Sequence, residues 1–370
     1  MSRIAKALVV ALYCLLLLEG FSAVATHLGL LLVNDRPAYS LDFRAMENGL
    51  DWRTEGEAWG AWHKPSRRDR HAGACFAVDY VSNAAGARDS EFAPAKTPGL
   101  ARYLLIGDSF AEGYGVAIAD TVQAVIEREA GVEVYNLGAS GDLGPVQYDL
   151  LYRHFAPQFD HDGVIVLFFP GNDFTDNDPA AAKWAGSTRW RPYYRREGDG
   201  GYSIFYPEGA ARSGQVTAER PGTAARIQHF LLGYTYSMNT VRTVWYLLVS
   251  AKMQNFRYAG YFDAVPEQQE AALHFLDRTV AAAAGKPVHV VVVPDARDLA
   301  RLRAGAGRAD LPWHAGLQRM AAAHPSLRVH DLAGEFVGQE DSKMFLSCDP
   351  HWSAAGHAVA GRAIARAIGR

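Results

Sequence analysis

RYLLIGDSFAEG, residues 102–113, decides how the chain is read. A short apolar run, Tyr103 to Ile106, stops at Gly107 and Asp108, and Ser109 follows just before the pattern turns helical. Backbone N–H groups at a helix start have no partner within the helix, so a hydroxyl placed there is surrounded by donors suited to a developing negative charge. Serine is equally at home as a helix cap. Taken alone, the stretch fits both roles.

Working outward, four more apolar runs have the length of buried strands: Val132–Tyr135, Val164–Phe169, Val288–Val293 and Leu327–Val329. Helix-like stretches separate most of them, clearest at 120–131 and 267–285, each closing on a glycine. Alternation of this kind predicts an α/β fold, a parallel sheet with helices on both faces. Residues 34–100 show no sustained period and read as an irregular N-terminal extension packed on the main domain, with a strand and turn at 79–92. Between about 174 and 262 the alternation lapses for longer than a crossover needs, which predicts an insertion. Its aromatics Trp184, Trp190, Tyr193, Tyr194, Tyr202, Phe205 and Tyr206 suit either substrate binding or anchoring of a folded-over loop. A helical stretch at 227–250 is interrupted by Gln228, His229, Asn239 and Arg242, which favours amphipathic packing over a second membrane span.

At 370 residues, with 49% hydrophobic and 21% charged residues, the chain can bury a sizeable core. A net charge of −3 with both signs scattered leaves no basic field for nucleic acid, which is excluded as a partner. Arg3 and Lys6 precede the apolar run Ala7–Leu18, and apolar character resumes through Leu28–Val33. Residues 1–33 therefore read as a membrane anchor or a signal peptide. A cleaved signal would use Ser22-Ala23-Val24-Ala25; apolar residues beyond that point favour the anchor. In either case the body after residue 34 lies outside the cytoplasm, on the periplasmic side. Cys14 falls inside the apolar segment, so Cys75 and Cys348 are the one pair available for a disulfide in that compartment.

In an open parallel sheet the reactive groups gather at the carboxyl ends of the strands. The first strand is followed by Gly107-Asp108-Ser109, the second by NLGASGD (136–142), the third by PGND (170–173), and CDPHWSAAGH (348–357) precedes the last helix. Acyl transfer needs a hydroxyl nucleophile, a base, a carboxylate to orient the base and donors for an oxyanion. Ser109, His351 and Asp349 supply the first three. The N–H groups of Ser109 and Gly141 and the side-chain amide of Asn172 supply the oxyanion hole. Gly138 rivals Gly141, and His357 rivals His351, although SAAGH reads as part of the final helix. Asp108 and Asp173 read as turn-forming residues. His154, His161 and His289 stand apart from any ligand cluster, so no metal site is expected.

These blocks resemble those of the SGNH hydrolases, also called GDSL-type esterases and lipases, over residues 101–370. GDSF matches the nucleophile block, NLGASGD the glycine block, GND the asparagine block and DPHW the last block, in the family's order. The SGD of the second block favours Gly141 over Gly138. What the resemblance implies is a flavodoxin-like three-layer α/β/α fold with a five-stranded sheet, hydrolysis of an ester-linked acyl group through an acyl-enzyme, and neither metal nor other cofactor. Its substrates would be acyl esters, among them acylated polysaccharide or lipid. One departure stands out: the family's aspartate lies three residues before the histidine, and that position is Cys348. The shorter Asp-x-His-Trp form is closer to that of proteins that O-acetylate alginate, and it keeps an O-acetyltransferase or deacetylase of envelope polysaccharide as the alternative. A catalytically silent carbohydrate-binding module is the reading from another class.

Overall fold

Helix α1, Arg3–His27, is uncovered along most of its length and is the one helix among the described residues long and apolar enough to cross a membrane. The computed structural model describes residues 2–28, 30, 37, 53–72, 76–184, 190–207, 223–242, 244, 259–307, 311–346 and 349–369. The proposed Cys75–Cys348 pair lies outside them.

The centre of the molecule is a five-stranded, wholly parallel sheet: β1 Arg102–Ile106, β2 Glu133–Asn136, β3 Gly163–Phe168, β4 Val288–Val292 and β5 Leu327–Asp331, in spatial order β5-β4-β3-β1-β2. Every residue of β3 and β4 is buried, as the unbroken Val/Ile/Leu/Phe runs require of strands covered on both faces. The fold class expected from the sequence is the one observed, and each strand lies within two residues of the apolar run that announced it. Strand order reverses between β1 and β3, and the segments leaving these two strands carry Ser109 and Asn172. Crevices at such a reversal are where ligands bind in this architecture.

Helix α2, Ser109–Glu112, is a single turn; α3, Val122–Ala130, is capped by the Thr121 hydroxyl on the Ala124 N–H and stopped by Gly131 at φ +66°. On the other face, α4 (Pro145–Phe155), α6 (Pro266–Ala282) and α7 (Pro312–Ala323) pack side by side, each opening on a proline that fits a first helical turn. Helix α5, Thr223–Tyr234, belongs to the insertion, and α8, Ala354–Ile368, closes the chain against α3. Their approach is so close that a Cβ on Gly361 would stand 2.5 Å from Val125.

The extension proves less irregular than its sequence suggests. Among the described residues it forms two antiparallel strand pairs, Arg53–Glu57 with Gly60–His63 and Arg68–Ala72 with Ala77–Val81. Strands of four and five residues are too short to display a period. Within the insertion the aromatics act as packing anchors: Trp190 stacks on Tyr206, and Tyr194 meets Val146, Ala271 and Phe275 between α4 and α6. The helical stretch expected at 227–250 starts earlier and breaks at Thr235, resuming at 236–242; beyond 244 it leaves the described residues.

Candidate active site

Gly107 makes the handover from β1 possible, because a Cβ there would lie 2.7 Å from that of Ala111. Asp108 then caps α2, its Oδ1 accepting the Phe110 N–H at 2.9 Å. Burial pushes the Asp108 carboxyl up to about 6, opposed by that N–H, by His351 and by the Asn172 side chain. Ser109, freed from capping, is the first residue of the turn. Its Oγ lies 2.6 Å from Nε2 of His351. The other ring nitrogen, Nδ1, is bonded to Oδ1 of Asp349, which also accepts the His351 backbone N–H at 3.0 Å. Burial works to raise the Asp349 carboxyl, yet the bonds and charge of His351 outweigh it and hold it below its ordinary value. A carboxylate on Nδ1 fixes the proton there and leaves Nε2 as an acceptor for the serine hydroxyl.

The loop bearing His351 is held by its neighbour. Trp352 is fully buried, edge-on to Phe110 at 4.9 Å and stacked on Phe336, and a short bridge joins it to Phe345. Tyr114 stacks on the His351 ring at 4.3 Å. His357, the rival base, is spent elsewhere: it is buried on α8, and its Nδ1 accepts the Val122 N–H that opens α3.

Among the described residues, neither the N–H of Ser109 nor that of Gly141 is taken by a backbone carbonyl. Gly141 has φ +128° and Asp142 follows at φ +62°, a reversal that an L side chain at 141 would strain. Gly138 is committed instead to the fold. Its N–H is held by Asn136 Oδ1 at 2.9 Å, and a Cβ would press on Glu112 N at 2.5 Å. Asn172 sits on a turn pinned by Asp173, whose carboxylate accepts the Phe169 N–H and the Tyr148 hydroxyl, both at 2.7 Å. Burial raises the Asp173 carboxyl strongly. Asp108 and Asp173 thus hold turns, as read from the sequence.

Other residues of the site were not singled out from the sequence. Glu112, one helical turn from Ser109, is wholly buried and bonded through Oε1 to Nε2 of His63 at 2.6 Å. Its second oxygen receives the Ser140 and Tyr80 hydroxyls. Burial alone would raise this carboxyl; His63 foremost, then Arg88 and Ser140, hold it down at about 2. Arg88 fans its guanidinium over the carbonyls of Glu112, Gly113 and Val116 at 2.7–2.9 Å, closing off the end of α2. His71 packs edge-on to Tyr80 and Tyr114, and burial lowers it to about 4. On the other side, the insertion contributes Arg191, buried and in ion-pair reach of Asp142 at 3.1 Å and Asp176 at 3.8 Å. The extension forms the floor beneath α2, and the insertion braces the turn after Gly141. A cavity of about 730 Å³ lined by Tyr103, His289, Arg328, His330 and Arg366 includes none of these residues.

No family model and no curated protein matches the chain. Solved structures similar to it include a lipase/acylhydrolase from Enterococcus faecalis, 14% identical over 73% of this chain and 96% of that one, with a TM-score of 0.36. A member of the lipolytic protein G-D-S-L family from Veillonella parvula is 11% identical over 73% and 98%, at 0.37. An acetyl xylan esterase from the rumen bacterium Butyrivibrio proteoclasticus is 8% identical over 74% and 64%, at 0.36. Superpositions this loose assign no role to any residue, so the chemistry rests on this chain's own atoms.

Proposed function

We propose that the chain is a serine esterase of the SGNH type, acting outside the cytoplasm from a membrane anchor. The observation that carries this reading is the continuous line from Asp349 through the His351 ring to Ser109 Oγ, 2.6 Å from Nε2. In the first half-reaction Oγ bonds to the ester carbonyl carbon while its proton passes to Nε2. The oxyanion is received by the N–H groups of Ser109 and Gly141 and the Asn172 amide. His351 then returns the proton to the leaving alcohol, giving acyl-Ser109. Water attacks the acyl carbon, loses a proton to Nε2, and the acid departs as Ser109 recovers its proton.

The anchor reading is supported by the way α1 is tied into the rest of the chain. Ala25, where a signal peptidase would cut, is 3% exposed within the helix, and Glu19 bonds to residues 236 and 237. A segment destined for removal needs no such contacts.

The test is release of p-nitrophenol from acetyl and longer-chain esters by the full chain. Ser109→Ala and His351→Ala are each expected to lower kcat by about ten-thousandfold or more. Asn172→Ala, which removes one oxyanion donor, should lower it by about a hundred- to a thousandfold. Turnover that survives either of the first two substitutions would overturn the reading.

A further inference from the structure

Glu19 is an acidic residue two-thirds of the way along the apolar helix α1, Arg3–His27. Counting 1.5 Å per residue, it stands about 20 Å beyond Lys6 along α1, within a hydrocarbon layer about 30 Å thick. Phe21, Val24, Leu28 and Leu30 continue the exposed apolar surface past it, at 59–74% exposure. Its carboxylate is nonetheless fully engaged. One oxygen accepts the Tyr236 N–H at 2.7 Å, and the other accepts the Ser237 N–H at 2.9 Å and the Ser237 hydroxyl at 2.6 Å. His27 adds a 3.1 Å contact between Nε2 and the Tyr236 hydroxyl. Ser22, Ala25 and Thr26, on the same side of α1 as Glu19, are buried.

From these contacts we infer that residues 223–242 of the insertion, with Val244, are embedded in the outer leaflet of the membrane that α1 spans. The inference rests on the reading of α1 as an anchor. If Glu19 lies below the outer surface, the chain at 236 and 237 lies there with it. Helix breaks at that depth survive only where the freed backbone groups are satisfied within the protein. The break at Thr235 meets this condition. Asn239, 1% exposed, donates from Nδ2 to the carbonyls of Leu232 and Thr235, at 2.7 and 2.9 Å. The Thr235 hydroxyl donates to Leu231 and accepts the Met238 N–H, and Glu19 takes the next two N–H groups. The large side chains uncovered here are Ile227 and Phe230 on α5, then Val241 and Val244, at 44–56% exposure, with Thr223 and Gln228 the exposed polar residues on α5. Glu19 and His27 tie this segment to α1, whose own uncovered side chains over residues 7–18 are apolar, and acyl chains are the occupant that suits both.

The experiment uses the full chain in phospholipid vesicles, with the native cysteines replaced by alanine. A bimane label is placed in turn through Phe230→Cys, Val241→Cys, Leu12→Cys in α1 and Asp199→Cys on the catalytic domain. Labels at 230 and 241 are expected to be quenched by spin-labelled acyl chains as at 12, and to be at least fivefold less accessible to aqueous iodide than at 199. Adding Glu19→Leu should raise iodide access at both positions. Labels at 230 and 241 that behave like 199, while 12 remains lipid-quenched, overturn the inference and leave the anchor standing. Iodide access at 12 itself overturns the anchor reading, and the inference falls with it.

Discussion

Two histidine–carboxylate pairs meet the single-turn helix α2, one at Ser109 and the other at Glu112, and they have opposite fates. His351 and Asp349, on the C-terminal loop, keep 20% and 25% of their side-chain surface exposed, and the free ring nitrogen meets Ser109. His63 and Glu112, where the extension meets α2, keep 2% and 0%. Both His63 nitrogens are taken, one by Glu112 and the other by the Gly86 carbonyl at 2.9 Å. The same two functional groups thus present a ring nitrogen to a serine hydroxyl in one place and fasten the extension to α2 in the other. What separates them is whether the second ring nitrogen is open to a reacting hydroxyl.

The comparison breaks if the two pairs respond alike to substitution. Removing Glu112 leaves His63 buried without its partner, so Glu112→Ala should lower the unfolding free energy by about 3–5 kcal/mol, read from denaturant melts. Asp349→Ala should cost about 1 kcal/mol or less in the same melts, because its pair is partly solvated, while removing most of the esterase turnover. Comparable losses of stability in the two variants would erase the distinction.

A third histidine sharpens it on a smaller scale. Burial first, then the charges of Arg88 and His351, depress His357 from its ordinary 6.5 to about 3. Between those values the unfolded chain takes up a proton that the folded chain refuses, so this group's contribution is present above pH 6.5 and lost as pH falls. The stability advantage of the wild type over His357→Gln should therefore shrink on going from pH 6.5 to 4, by up to about 1.4 kcal/mol per unit. A gap that is constant or widens across this window would show that His357 is not buried as a neutral acceptor.

How much of this could be read in advance follows from where each contact sits in the chain. Ser109, Gly141, Asn172 and His351 each follow a strand or precede a helix, in short blocks whose residue types are limited by the chemistry. Strand runs such as GVIVLF (163–168) announce burial on both faces. Asp349, displaced by one position from the usual spacing, still reaches His351 because two residues of loop suffice to fold the carboxylate back on the ring. The floor was not legible. His63, Arg88 and Glu112 are separated by 24–49 positions, and what joins them is short strand pairs and turns without a period. A glutamate three residues after Ser109 looks like an ordinary surface residue of a helix until the extension covers it. Arg191 likewise stands in an insertion, and its partners Asp142 and Asp176 are set by tertiary packing alone. The break at Thr235 left a faint signal in Asn239, whose amide takes the Leu232 and Thr235 carbonyls, but the Tyr236 N–H just past the break is taken by Glu19, 217 residues away in the chain.

The most direct test of the central claim needs no knowledge of the substrate. The full chain is treated with a fluorophosphonate at pH 7.5 and the adduct is located by peptide mass spectrometry. An activated serine predicts a single adduct on Ser109, with labelling slowed at least a hundredfold in His351→Ala. Absence of an adduct on Ser109, or labelling at the same rate without His351, would contradict it.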